Sequence, residues 1–466
     1  MSHTIAPPAA HSISSTLVPT VAPDPRSSAS RPVGGAEIVG ELAALAGSGD
    51  YSMILRRSAE VAARAGRSPR PDQLADALAG FAATGSLPAL LAIESLVNVQ
   101  HRAASEALVA LLSHRRQIVR RHAAWRLAER TSIGEAIPTL LDMVTVGGID
   151  TMHAHRTLQR WAGSINHQIA RPAIARMIAE TDPIRRARLV DLLAVLGPDT
   201  DGVLLHVAQN VAEPDGVRSA AIGALGERSC PRIESALNVL AAADSSICAD
   251  AALALTGSGH GQSSPLETGA GQGVRVAQLV LAGGLDGQLS LGGRGDTGGV
   301  ASLLVSLGES LARRAEVDHV VTIGRGSVTD AVTGPLSSSR IPLTYGMIAL
   351  GDDLRPATAP GEVWEHLPSI ERGLRRVLRL AGPVDVLHLR MADVGTLVGA
   401  EVAGAAGIPI RFSVAPDPHN VIKSLQSRGE LDDESFLRLA TETHVWFRAR
   451  LIEDVSRQAD QLALFP

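Results

Sequence analysis

Two polar residues stand where a buried strand gives way to a helix. Arg390 and Asp393 directly follow residues 384–389, an apolar stretch with the length and composition of a buried strand. The planar guanidinium of Arg390 suits a phosphate or carboxylate. Asp393 could act on a ligand, cap the helix predicted over 394–406, or do both. We expect the strand residue His388 to be a packed core histidine.

His419 and Lys423 follow the next apolar stretch, residues 408–413. They lie just after the segment Ala-Pro-Asp-Pro, which the sequence predicts to be a loop. Polar residues at the carboxyl ends of parallel strands surround the ligand crevice of open α/β sheets. A loop after a strand is also exposed in any protein, so both roles stay open for these two residues.

A glycine pair, Gly298 and Gly299, ends the glycine-rich stretch 292–299 and opens an amphipathic helix. Free N–H groups and the helix dipole attract anions at such a start, and glycine lets a ligand approach the backbone. No Gly-Lys-Ser/Thr follows, so this is no Walker loop, and the spacing from the preceding strand is too long for the dinucleotide-binding turn. A plain helix-capping turn is the alternative.

The elements that position these residues form a β–loop–α–β pattern. We expect strands over 274–281 and 319–323, with a helix over 300–314 between them. A strand, a helix closing on Gly407 and a further strand follow. Residues 432–460 are predicted to be helical before a last strand in 461–466. This order predicts a parallel, doubly wound sheet.

The motifs themselves resemble those of one enzyme group. Gly-Asp-Thr-Gly-Gly (residues 295–299) is similar to the acceptor-side loop of retaining GT-B glycosyltransferases, in particular the sucrose-phosphate synthase and sucrose synthase group. The segment Asp-Val-Leu-His-Leu-Arg-Met-Ala-Asp-Val-Gly (385–395) resembles that group's Asp-Val-Ile-His-x-His-Tyr-Ala-Asp-Ala-Gly. The resemblance covers residues 270–466 and implies a Rossmann-like, GT-B amino-terminal domain.

The resemblance also implies roles for individual residues. Gly298 and Gly299 would bind the donor phosphates and the acceptor sugar, and Asp393 and His419 would be catalytic, orienting the acceptor hydroxyl. Arg390 and Lys423 would bind substrate. Arg390 stands where the group has a second histidine, and His419 and Lys423 only approximate a later His-Ser-Leu-Gly-x-x-Lys loop. We therefore expect a sugar or sugar-phosphate acceptor other than fructose 6-phosphate, a nucleotide-sugar donor and no separate cofactor.

Similar blocks recur along the first half of the chain. They begin at residues 87, 119, 152, 184, 217 and 247, with helical apolar spacing and a period near 32. This pattern predicts an α-solenoid resembling HEAT-like repeats, with an irregular helical domain as the alternative. Its arginine pairs, such as Arg120-Arg121, indicate either a solvated helix face or a surface for an acidic or phosphate-bearing partner. A protein partner on the solenoid is therefore possible.

Composition divides the chain into four segments and argues against several classes of function. We predict a disordered head (1–36), the solenoid (37–256), a flexible linker (257–273) and the Rossmann-like domain (274–466). Aromatic residues make up 2% and the net charge is −5, which argues against a nucleic-acid partner. Two cysteines are too few for a zinc ribbon, an iron–sulfur site or a disulfide framework, so we expect no metal site and a reducing, cytoplasmic location. No apolar run reaches the length of about 18 residues that indicates a membrane span, so we expect none.

A complete GT-B enzyme has a second Rossmann-like half that binds the donor. The sequence after the linker has room for one half, so we expect a truncated enzyme or a family member that lost its donor half, inactive alone. The alternative is a non-enzymatic HEAT-repeat scaffold that carries a relic Rossmann-like half.

Overall fold

The computed structural model describes residues 34–257, 273–284, 298–332, 336–337, 341–350, 363–414 and 417–464. Most of the predicted head and linker, the glycine stretch 292–297 and residues 415–416 lie outside these ranges. In the described part, a helical region comes first and an α/β region follows, as the sequence predicts.

The helical region contains α1 to α13. Aspartate caps and prolines in the first turn start many of these helices: Asp50 accepts the N–H of Met53, and Asp182 accepts those of Ile184 and Arg185. The helices are α1 (Gly35–Ala46), α2 (Tyr51–Ala65), α3 (Pro71–Ala82), α4 (Ser86–Leu96), α5 (Arg102–Leu111), α6 (Gln117–Leu127), α7 (Ile137–Val144), α8 (Gly148–Ala179), α9 (Pro183–Ala194), α10 (Asp201–Gln209), α11 (Asp215–Leu225), α12 (Pro231–Ala241) and α13 (Cys248–Gly257).

The helices stack in two layers. Helices pair across the layers, as in α3–α4, α7–α8, α10–α11 and α12–α13, and alternate helices such as α4–α6, α6–α8, α9–α11 and α11–α13 stack along one layer. Helix α8 changes layer midway, at Ile165, whose backbone leaves the helical region (φ −133°, ψ 33°). All six recurring sequence blocks fall on helices of one layer, which we call the inner layer: α4, α6, the first half of α8, α9, α11 and α13. The period of the sequence therefore marks one side of the helical region.

The α/β region is built on one seven-stranded sheet with the order β3-β4-β2-β1-β5-β6-β7. Six strands are parallel, and the short β3 pairs antiparallel at one edge. The strands are β1 (Val274–Gly284), β2 (Val317–Gly326), β3 (Leu336–Ser337), β4 (Leu343–Ala349), β5 (Val386–Arg390), β6 (Ile410–Val414) and β7 (Gln461–Leu464). This is the order of a doubly wound sheet, with its switch point between β1 and β5.

Helices connect the strands on both faces of the sheet. They are α14 (Gly298–Ala312), α15 (Val328–Val332), α16 (Leu367–Ala381), α17 (Val394–Ala406), α18 (Pro418–Ser427), α19 (Asp433–Thr443) and α20 (Val445–Gln458). Helix α14 packs on one face of β1 and β2 through Leu304 and Val305, whereas α16 and α17 pack on the opposite face. Alternate residues of β1 follow this division, since Val276 and Val280 belong to the core under α14 and Leu279 and Leu281 to the other.

The inner layer and α2 pack against the helices of the α/β region. Helix α19 contacts α4 and α6 of the inner layer, α16 contacts α13, and α18 contacts α2. Arginines supply many of the cross-contacts. Ion pairs between the two regions include Arg116–Glu434, Arg156–Glu401, Arg188–Glu365, Arg372–Asp191 and Arg375–Glu227. One arginine of each predicted pair meets an acid of the same chain: Arg116 pairs with Glu434, Arg121 with the buried Asp150 and Arg186 with Glu213.

A buried charge cluster lies at the centre of this contact. Glu94 of α4, 2% exposed, pairs with Arg126 of α6 at 2.6 Å and with Arg450 of α20 at 3.4 Å. Arg450 also donates to the carbonyl of Leu55 and the hydroxyl of Ser58, both at 2.7 Å. Burial alone would raise the pKa of Glu94, but the two guanidinium groups lower it to about 2.

Aromatic side chains complete the same contact. Phe447 of α20 packs edge-on against Trp125 and His153 of the helical region, with ring centroids 4.8 and 4.7 Å away. Trp446 is fully buried beside His122. The helical region and the sheet region therefore share one hydrophobic core.

Candidate functional site

The two resembling motifs are connected to the two strands that flank the switch point of the sheet. The first follows β1 and the second spans β5, and these strands are neighbours in the sheet although about 110 residues separate them. A Cβ added at Gly395, in the first turn of α17, would lie 3.2 Å from Cδ1 of Leu281 in β1. The start of α17 therefore lies directly against the end of β1.

Helix α14 begins at Gly298, so the sequence places this helix start correctly within two residues. Only residues 313–316 join its carboxyl-terminal end to β2, which fixes that end at the amino edge of the sheet. The amino terminus with Gly298 and Gly299 therefore lies at the carboxyl edge, as β5 also ends there. The loop before Gly298 lies outside the described residues.

Asp393 caps helix α17. Its Oδ1 accepts the N–H of Thr396 at 2.9 Å. Burial raises the pKa of this carboxyl, while the Thr396 bond and the guanidinium of Arg448 oppose the rise. A half-buried carboxylate with a raised pKa at a strand end is a candidate for proton transfer or for binding a hydroxyl.

The loop between Arg390 and Asp393 is held in a strained conformation. Met391 has φ 67°, a left-handed value that is unusual for a bulky residue. Two side chains fix the carbonyls beside it: the Thr396 hydroxyl donates to the carbonyl of Arg390 and Arg448 Nε to that of Ala392, both at 2.9 Å. Strain that the surroundings enforce in this way is typical of functional sites.

Arg390 is the last residue of β5 instead of the first residue of the following loop. His388 is buried as predicted, and its Nε2 lies 2.7 Å from the hydroxyl of Ser413 on β6. Burial, followed by the charges of Arg390 and Arg411, lowers the pKa of His388 to about 3. The ring is therefore neutral near pH 7.

His419 and Lys423 lie in helix α18 and not in a loop. The helix forms because Asp417 caps it, accepting the N–H of His419 at 2.9 Å, and Pro418 occupies its first turn. Lys423 is exposed. Burial lowers the pKa of His419, whose charged neighbours include Asp417 and Glu453.

The surroundings of His419 differ from those of Asp393. Helix α18 packs against α2 and α20, and Arg56 and Arg450 act on His419. Arg448 is the charged group that acts on Asp393. Gly298, Gly299, Arg390 and Asp393 thus belong to the switch point, whereas His419 belongs to the contact with the helical region.

Sequence reasoning missed the residues that support the site. Arg448 comes from α20, more than 50 residues after the loop that it holds, and nothing in its local sequence marks it. Arg411 lies beside Arg390 only because β5 and β6 pair in parallel. Asp417-Pro418 is a signal that could have identified α18, since Asp before Pro is a common helix start.

Within the described ranges, no group of three or more His, Cys, Asp or Glu side chains is arranged to hold a metal ion. None of the helices described combines the length and apolar character needed to cross a bilayer. A comparison of the chain with models of known protein families and with curated proteins found no match.

Proposed function

We propose that this chain is the acceptor-binding part of a nucleotide-sugar-dependent retaining glycosyltransferase of the GT-B type, supported by a HEAT-like helical region. One observation supports the proposal: β1, the strand before the first motif, and β5, the strand within the second motif, are neighbours at the switch point of one doubly wound sheet. Ligands of such sheets bind at that point.

Each residue at the switch point has a role in this proposal. The amide groups at Gly298 and Gly299 bind phosphate oxygens of the donor. Asp393 accepts a hydrogen bond from an acceptor hydroxyl and orients it, because its second oxygen is free of the capping bond to Thr396. Arg390 binds an anionic group of the acceptor. The roles of His419 and Lys423 stay predictions of the resemblance.

The test is sugar binding by the intact chain, measured calorimetrically with a panel of free and phosphorylated hexoses. We expect Asp393→Asn to weaken acceptor binding about tenfold or more, since it removes a charge-assisted hydrogen bond but keeps the helix cap. Asp385→Asn is the matched control, because Asp385 lies at the amino end of the same strand, where it accepts the N–H of Arg275. Absence of binding by every sugar of the panel, or equal affinity of both variants, would contradict the proposal.

A non-enzymatic scaffold is the second candidate, and the packing restricts where it could act. The inner layer already contacts the α/β region of the same chain. A scaffold would therefore dock its partner on the outer layer, formed by helices such as α3, α5 and α10. It predicts that no sugar binds in the calorimetric panel.

A further inference from the structure

Four polar side chains occupy one face of the sheet between β5 and β6. In the parallel register His388 pairs with Arg411 and Arg390 with Ser413, so all four point to the same side. That side is the one on which α14 packs, because His388 is also in register with Gln278, whose amide donates to the carbonyl of Leu304 in α14.

The two charged side chains of this group are both arginines. Arg390 is half-buried, and its Nε is enclosed without a hydrogen-bond partner. Among the described residues, the exposed Arg411 is the charged group that acts on it. Arg411 donates a hydrogen bond to the neutral amide of Gln461, at 3.3 Å. Two neighbouring guanidinium groups repel each other, and an anion would relieve that repulsion.

The position of Arg390 matches the start of α14. Arg390 ends its strand at the carboxyl edge of the sheet, and α14 begins at the same edge and on the same face. Arg411 lies on that face as well, one step farther from the edge, in register with His388. Two guanidinium charges match a phosphate monoester, which carries about −1.5 to −2 at pH 7, better than a carboxylate.

We propose that Arg390 and Arg411 form a binding site for a phosphoryl dianion of the ligand. The proposal rests on the proposed function for its location and sharpens it by naming the chemical group that the acceptor side recognises. The phosphoryl group could belong to a sugar phosphate or to a nucleotide, and the probes below separate these sources.

The test is calorimetry of the intact chain with inorganic phosphate, glucose 6-phosphate, glucose and UDP. We expect glucose 6-phosphate to bind about tenfold or more weakly to Arg390→Gln and to Arg411→Gln, and not measurably to the double variant. Arg313→Gln is the matched control, because Arg313 is exposed and follows the opposite end of α14. We expect this control to bind like the unaltered chain, and circular dichroism to show that every variant is folded.

The outcomes distinguish this proposal from the proposed function. Equal phosphate affinity in the double variant, or no phosphate binding by the unaltered chain, overturns the site. Glucose 6-phosphate binding that is unchanged when both arginines are substituted overturns the site but leaves the proposed function standing. Arginine-dependent binding of inorganic phosphate to which glucose adds nothing supports the site and counts against the proposed function. A stronger, arginine-dependent preference for UDP assigns the site to the nucleotide.

Discussion

Asp393 shows how one residue can serve both local structure and a site. Its carboxylate caps α17, as residues of its type commonly do, and the cap alone would explain its presence. A cap alone does not explain three further features of Asp393: its burial, the strained Met391 beside it and its place at the switch point. Substitutions that separate the two roles are therefore informative.

We predict that Asp393→Ala lowers the free energy of unfolding by about 1 kcal/mol, because the N–H of Thr396 loses its partner. Asp393→Asn should stay within about 0.5 kcal/mol of the original chain, since the amide oxygen can accept the same bond. Urea denaturation of both variants measures this. Equal stability of the alanine variant would show that the cap contributes nothing.

The sequence could predict residues whose roles are local, and it could not predict those that depend on pairing. Asp393 as a cap and His388 as a core residue follow from neighbours in the chain. The contact of Arg448 with Ala392 requires α20 to fold back on the loop. Arg411 required knowledge of the register between β5 and β6.

At the scale of elements, α17 is shaped by glycines that permit close packing. A Cβ at Gly399 would overlap Cδ2 of Leu389 and lie 3.3 Å from Cδ2 of Leu279, on the two central strands. Gly404 of the same helix has nothing within 4 Å of that position. The two glycines thus sit in contrasting surroundings.

We predict that Gly399→Ala destabilises the protein by about 1–3 kcal/mol, because an added methyl overpacks the face between α17 and the sheet. Gly404→Ala should stabilise it by about 0.5–1 kcal/mol, since alanine favours the helix without a clash. Chemical denaturation of the two variants checks both signs. A stabilised Gly399→Ala chain would mean that α17 stands farther from the sheet.

The elements that periodicity defines were predictable. Helix α17 matches its predicted residues 394–406, and β1, β2 and β6 lie within a few residues of their predicted positions. The sequence predicts a loop where α18 begins, because proline and aspartate are common in loops. Asp417 and Pro418 instead form the start of a helix. The recurrence of blocks near 32 residues found the inner layer but could not say what that layer contacts.

At the scale of the whole molecule, the contact between the two regions contains several buried histidines. Burial lowers the pKa of His122 to about 4 and that of His444 to about 3, and it also lowers the pKa values of His153 and His155. Attraction from Glu94 opposes the shift at His122, whereas Arg126 and Arg121 add to it. His122 and His444 are therefore neutral in the folded protein at pH 6.

We predict that the protein loses stability as the pH falls from about 6.5 to 4. In that range His122 binds a proton in the unfolded chain but not in the folded one. Lowering the pH therefore favours unfolding. The contribution of His122 is about 3 kcal/mol over the window. His122→Gln should have a shallower stability–pH curve, whereas the same change at the exposed His167 should leave the slope unaltered. Parallel curves for all three chains would contradict the prediction.

The buried charge cluster changes stability in a lower pH range, and there the titrating group is an acid, Glu94. Because the folded pKa of Glu94 lies below its ordinary value, its ion pairs stabilise the protein above about pH 4.5, and this stabilisation is lost as the pH falls toward 2. Acid therefore weakens the shared core in two successive steps.

The contact between Arg450 and Ser58 spans 392 residues of chain. During synthesis at about 5–20 residues per second, the α2 surface would wait roughly 20–80 s for α20 to leave the ribosome. Until α20 emerges, Trp125 and His153 lack the ring of Phe447, and Glu94 lacks the second of its two arginines, Arg450. Nascent chains stalled before residue 445 should therefore bind chaperones that recognise exposed aromatic surface, and release them once α20 emerges.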